Sequence, residues 1–149
     1  GAINVPLNVT TGAERYYGFI EACSRYSLPT DPEIIKMADF SIESACEMAL
    51  ELLSEDNPPT AIVSMSGPTT VGVLRAVRKR RIHIPDDISI VGWDDFEYAS
   101  LFEPPITTVV QPIKALGTAA FETLLSVMQK KGQSSPRRIR RRWTKRSGV

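Results

Sequence analysis

Residues 84–95 read I-P-D-D-I-S-I-V-G-W-D-D, and the fold turns on this stretch. The short apolar run from Ile88 to Val91 suits a strand covered on both faces, as in a parallel sheet. It ends at Gly92-Trp93-Asp94-Asp95, which places polar residues at the carboxyl end of a strand. In open α/β sheets that edge is where ligands bind.

Working outward, strands and helices alternate. Ala61 to Met65 is another apolar strand, and Pro68 after Ser66-Gly67 suits the first turn of a helix, where its missing N–H would be unpaired anyway. That helix should run to about Arg81, with Arg78, Lys79, Arg80 and Arg81 in a last turn whose dipole favours cations. Further upstream, Glu33 to Phe40 reads as a short strand leading to Ser41 as N-cap. Ala45, Met48, Ala49, Leu52 and Leu53 then make an apolar helix face, and Asn57-Pro58-Pro59 stops it. Ile3 to Leu7 reads as the first strand. The Thr11-x-x-Glu14 spacing is a capping box with Thr11 as N-cap, opening a helix to about Tyr26 whose Tyr16, Phe19, Ile20 and Cys23 form one buried stripe. Downstream come a strand from Ile106 to Val110, Gln111-Pro112, and a helix of about twenty residues ending near Lys131-Gly132. A basic strand from about Arg138 to Lys145 closes the chain. This is α/β order.

At 149 residues and 42% apolar composition, the chain has the length of about one domain and can bury a core. Collagen-like, coiled-coil and low-complexity classes are excluded. No apolar run approaches the roughly 18 to 20 residues that cross a bilayer. The opening G-A-I-N-V-P-L-N-V-T carries no basic segment followed by an apolar core, so no secretory signal is expected. Charge is asymmetric: seven of the 18 basic residues lie between Arg137 and Arg146, leaving residues 1–136 with eleven basic against 17 acidic residues, a net of −6. Cys23 and Cys46 make no disulfide framework and have no metal-ligand spacing, so a reducing cytoplasm is the default. With a single histidine, His83, a His-rich metal site is impossible. His83 lies in a loop, where such residues are usually solvated. Neither a cofactor nor a metal is expected.

From Pro59 to Gly117 the combination I-P-D-D-I-S-I-V-G-W-D-D, P-P-I-T-T-V-x-Q-P and L-G-T-A-A resembles the effector-binding core of LacI/GalR-type transcriptional regulators. R-Y-Y-G-F from Arg15 to Phe19 resembles the family's Arg-x-x-Gly-Phe helix start, and Lys145-Arg146-Ser147 its closing Arg-Ser, so the likeness covers nearly the whole chain. It implies a periplasmic-binding-protein-like α/β fold, a parallel sheet flanked by helices, here mostly the C-terminal lobe of a two-lobed domain. Residues 1–112 would be that lobe, 113–140 a helix and strand crossing into the N-terminal lobe, and 141–149 a segment returning. The family's helix-turn-helix headpiece, which reads operator DNA, matches nothing here; the resemblance thus implies an N-terminally truncated chain.

The resemblance also implies cleft residues at Thr11, Arg15, Phe40, Ser66, Asp94 and Gln111. Arg15 offers a planar five-donor fork for hydroxyl pairs, carboxylate or phosphate, or else a surface ion pair. Asp94 can accept from adjacent sugar hydroxyls or a ring N–H, or cap the segment Phe96 to Phe102, a role assigned mainly to Asp95. Phe40 could stack on a ligand or act as a hydrophobic staple. The Thr11 hydroxyl can accept a backbone bond and still donate to a ligand. Ser66-Gly67 departs from the family's usual Asn-Asp, and Ser66 reaches less far. Dimer contacts are implied around Val73 to Val77 and Tyr98 to Phe102, with Leu101 and Phe102 as interface residues or ordinary core.

The basic tail R-R-I-R-R-R-W-T-K-R suits a guarded edge strand or a sequence-blind nucleic-acid patch, in which Trp143 would cover the sheet or stack on a base. Function is expected to be sensing of a small molecule, with a sugar the first choice and nucleobases or phosphorylated sugars the others, in a cytoplasmic homodimer with no membrane partner. The rivals are a periplasmic sugar-binding protein of a transporter and an enzyme using Asp94 and Asp95 as acid and base.

Overall fold

Alternate side chains of a strand point to opposite faces of its sheet, and here both faces are covered. The computed structural model describes residues 1–94, 102–129 and, for the backbone, 144–146. The elements are β1 (Ala2–Asn4), α1 (Thr10–Arg25), β2 (Ile35–Met37), α2 (Ile42–Leu52), β3 (Ala61–Ser64), α3 (Gly67–Arg80), β4 (Ser89–Trp93), β5 (Thr107–Val110), α4 (Ile113–Gln129) and β6 (Thr144–Arg146). They form one sheet in the order β2-β1-β3-β4-β5-β6. The first five strands are parallel and β6 is antiparallel to β5. On one face Ile3, Ile62 and Ile90 pack with Ala45, Ala49 and Leu52 of α2 and Val73 and Val77 of α3. On the other, Ala2, Ile35 and Met65 meet Tyr16, Phe19 and Ile20 of α1.

Local chemistry sets several boundaries. Ser41 caps α2 as expected, its Oγ accepting the Ser44 N–H at 3.1 Å. Arg78, Lys79 and Arg80 fill the last turn of α3, which Arg81 ends in the left-handed region at φ 57°. α2 and α3 approach closely at Gly72, where a Cβ would stand 2.5 Å from that of Ala45. Cys23 and Cys46 are buried free thiols.

Other expectations are corrected. Thr11 is not the N-cap of α1. A turn bonding Val9 N–H to the Pro6 carbonyl brings Val9 to that position, and the Ala13 N–H already closes a helical bond on the Val9 carbonyl. Thr11 therefore stands inside the first turn, and no side chain caps the helix. β1 stops at Asn4 rather than Leu7 for the same reason, since the chain turns at Pro6. The strand expected over 33–40 shortens to β2, preceded by a 3-10 turn at Pro32–Ile34 and followed by Asp39, whose carboxylate takes the Ser41 N–H at 2.7 Å. Of the α1 stripe only Cys23 is fully buried, and Tyr16, Phe19 and Ile20 are half-buried. The terminal basic strand is seen at 144–146; Arg138 to Trp143, Asp95 and Leu101 lie outside the described residues. Phe102 is 36% exposed, not core.

α4 is different in kind. Ala119 is its only buried residue, while Phe121, Leu124 and Met128 are 62%, 54% and 66% exposed. Among the described residues no helix is long and apolar enough to cross a membrane.

Candidate ligand-binding cleft

Connections leave β1 toward β2 on one side and toward β3, β4 and β5 on the other, so the topological switch point lies between β1 and β3. The carboxyl ends of those strands open a cavity of about 380 Å³ lined by Thr11, Glu14, Arg15, Met65, Trp93 and Gln111 among others. Its residues come from α1, the end of β3, the end of β4 and the segment after β5.

Arg15 is the centre of this cavity. It is half-buried on α1, and its Nη1 donates to the Met65 carbonyl at 2.6 Å. Its Cζ lies 4.4 Å from the centroid of the Trp93 ring, a cation–π stack. Burial lowers the Arg15 pKa from its ordinary value, and the nearby negative charge of Asp94 opposes that change. One donor is taken by Met65, so the rest of the fork is available to a ligand.

Asp94 follows Trp93 with φ 65°, a left-handed conformation that Asp tolerates better than most residues. Its N–H donates to the Val109 carbonyl at 2.9 Å, and its Oδ1 accepts from Gln111 Nε2 at 2.6 Å. The Oδ2 lies over Gly67, 3.7 Å from where a Cβ would be, at the first turn of α3. A Cβ at Gly67 would touch the Asp94 carboxylate only at ordinary van der Waals distance.

Ser66 is 6% exposed and caps α3. Its Oγ accepts the Thr69 N–H at 3.2 Å and donates to Thr69 Oγ1 at 3.0 Å, while its own N–H goes to Thr69 Oγ1 at 2.8 Å. Phe40 stands half-exposed after β2, beyond β1 from the cavity, and does not line it. The cavity lining therefore brings Thr11, Arg15 and Gln111 together, while Asp94 is outside that lining and bonded to Gln111, Ser66 is folded into the helix cap, and Phe40 is apart. Sequence reasoning did not single out Trp93 or the Met65 carbonyl. Trp93 directly precedes Asp94 at a strand's carboxyl end, which is a usable signal; a backbone carbonyl has none.

His83 is exposed, with its Nδ1 3.1 Å from Asp87 Oδ2, and precedes β4 at the opposite edge of the sheet. Among the described residues no group of three or more His, Cys, Asp or Glu is placed to hold a metal.

A sheet of five parallel strands and one antiparallel edge strand, covered on both faces and opening a cavity beside Arg15 at its switch point, defines an α/β domain of the doubly wound kind. The chain belongs to the periplasmic binding protein-like domain family, whose model matches residues 3–149. The HTH-type transcriptional repressor PurR of Aliivibrio salmonicida (strain LFI1238) is 31% identical over 131 residues, which are 88% of this chain and 39% of the relative. A transcriptional regulator CelR–cellobiose complex superposes with a TM-score of 0.89 at 26% identity, covering 99% of this chain and 45% of that one. The Lac repressor bound to ONPG superposes with a TM-score of 0.76 at 27% identity, covering 89% and 40%. The resemblance to LacI/GalR-type regulators and the periplasmic-binding-protein-like fold expected from the sequence are borne out. The chain spans about two fifths of the length of the curated relatives it matches.

Proposed function

We propose that this chain is the effector-sensing part of a LacI/GalR-type transcriptional regulator, a non-enzymatic domain that binds a small polyol, with a saccharide as the first choice. The observation that carries this reading is the Arg15 guanidinium, bound to the Met65 carbonyl and stacked on Trp93 beside Asp94. A guanidinium fork with a carboxylate in its electrostatic reach supplies donors and an acceptor of the kind that adjacent hydroxyl groups need. Arg15 covers one face of Trp93, which leaves that face closed to a planar base. Thr11 and Gln111 line this half of the site with Arg15, Asp94 joins it through its bond to Gln111, and Phe40 and Ser66 lie outside the lining.

The other half belongs to a second lobe. α4 supports this, since its exposed Phe121, Leu124 and Met128 suit an element that crosses into another layer, with residues 1–112 forming one lobe, 113–140 crossing over and 141–149 returning. Closure of the two lobes on the ligand would shift a homodimer, with Leu101 and Phe102 at its interface, between arrangements of different operator affinity. Operator contact would be made by a helix-turn-helix headpiece on the complete protein, in the cytoplasm. The relatives found are repressors, which favours this reading over a transporter's sugar-binding protein and over an Asp94–Asp95 enzyme.

The test is operator binding by the complete protein, measured by fluorescence anisotropy with and without a saccharide that stabilises this chain. A ligand-dependent change in operator affinity, lost in Arg15→Ala, is expected. Operator affinity that no such saccharide alters contradicts the reading.

A further inference from the structure

The Arg15 platform is itself held from below by buried hydroxyl groups. Thr70, fully buried on α3, accepts the Trp93 backbone N–H at 2.9 Å and donates to the Ser66 carbonyl at 2.9 Å. Its Oγ1 also lies 2.7 Å from Ser64 Oγ, which is fully buried in β3. A threonine hydroxyl has one hydrogen and two acceptor sites. Either hydroxyl can be the donor in the contact with Ser64, and Ser64 Oγ also stands 3.4 Å from the Val91 carbonyl in β4. One side chain thereby ties the ends of β3 and β4 to the first turn of α3.

The Thr70 methyl fixes the same junction sterically. A Cβ on Gly92 would meet Thr70 Cγ2 at 2.7 Å, so the strand passes against this side chain only because Gly92 has none. Gly92 is followed by Trp93, on which Arg15 stacks, and then by Asp94. Trp93 pairs with Val109 in the ladder, yet its N–H is taken by Thr70. The level of the Trp93 ring above the sheet is therefore set by α3 as well as by β5.

We propose that Thr70 is a positioning residue of the cleft: its hydroxyl fixes the end of β4 so that Trp93 presents its face to the Arg15 guanidinium. The role in ligand binding rests on the cleft reading given above, whereas the positioning itself is read without ligand, so the two fail separately. Thr70 touches no ligand in this scheme; it acts through Trp93 and Arg15.

The chain has two tryptophans, so Trp143→Phe leaves Trp93 as the sole emitter, and acrylamide quenching reports how much of its ring is covered. Arg15→Ala uncovers the ring face on which the guanidinium stacks and is expected to raise the quenching constant. Thr70→Val keeps the shape and removes the hydroxyl. It is expected to raise quenching to the level of Arg15→Ala, with no further rise when both are combined, and Thr70→Ser is expected to restore the parent value. A Thr70→Val protein that melts cooperatively and is quenched like the parent overturns the proposal. Should Thr70→Val not fold, Ser64→Ala, which removes one bond to Thr70, is expected to give a value between parent and Arg15→Ala; an unchanged value there overturns it equally.

Discussion

The Arg15 guanidinium lies 4.4 Å from the centroid of the Trp93 ring, joining α1 to the end of β4 across the switch point of the sheet. The stack orients a cation that lines the cavity, and the Met65 carbonyl fixes its second coordinate. A planar fork held in this way loses little freedom when it grips a ligand, which is the physical content of a preorganised site. Asp94 is held from a different direction, by Gln111 and the β5 backbone.

Gly67 tests the departure from the family pattern. Gly67→Ala has room, since its Cβ would be 3.7 Å from Asp94 Oδ2, and is expected to be close to neutral. Gly67→Asp sets a second carboxylate beside Asp94, and like charges about 4 Å apart repel by about 1 kcal/mol in water. Denaturant melts should show a loss of that order at low ionic strength that shrinks as salt is added.

Ser66 caps α3 reciprocally with Thr69. Ser66→Ala removes the acceptor for the Thr69 N–H and is expected to cost about 1 kcal/mol. Urea unfolding monitored by circular dichroism would read it as a lower midpoint with an unchanged slope.

Gly72 gives a sign that helix propensity alone gets wrong. Glycine to alanine inside a helix ordinarily stabilises by about 0.5 to 1 kcal/mol. Here the new methyl would stand 2.5 Å from the Ala45 Cβ and 2.8 Å from the Ile42 carbonyl oxygen. Gly72→Ala is therefore expected to destabilise, by about 1 to 3 kcal/mol, and a raised melting temperature would contradict the α2–α3 packing.

Two exposed carboxylates shape the acid limb. Hydrogen bonds from Ser41 hold the Asp39 pKa below its ordinary 3.8, and bonds from His83 do the same for Asp87. A carboxylate whose native pKa is depressed contributes stability above its unfolded pKa and loses it as pH falls through the native one. Their contribution is thus complete above pH 3.8 and fades below it. Asp39→Asn and Asp87→Asn should each flatten the stability profile below that pH in pH-resolved denaturant melts.

The parts of the fold legible in the sequence are those governed by neighbours along the chain. β3, β4 and β5 fall within two residues of expectation because short apolar runs leave little choice in a doubly covered sheet, and Ser41 was found because it precedes a periodic helix face. The Thr11 capping box had the right spacing, but the turn at Pro6 started the helix two residues earlier, with Val9 as N-cap. Of the residues the resemblance points to, Thr11, Arg15 and Gln111 line the cavity. Met65 contributes a carbonyl that any residue carries, Trp93 is signalled only by its place before Asp94 at a strand's carboxyl end, and Thr70 acts through a contact from α3 to the end of β4 that no local pattern encodes.

The most direct measurement is a thermal melt of the chain against monosaccharides and disaccharides, with sugar phosphates, nucleobases and small acids as comparison classes. A ligand at 100 times its dissociation constant that binds only the folded state adds about 2.7 kcal/mol, a rise of about 5 to 10 °C for a domain of this size. The expected result is such a rise with a saccharide, abolished in both Arg15→Ala and Asp94→Ala. A cooperative melt that no saccharide moves, or a rise that survives both substitutions, would contradict the assignment of this cleft.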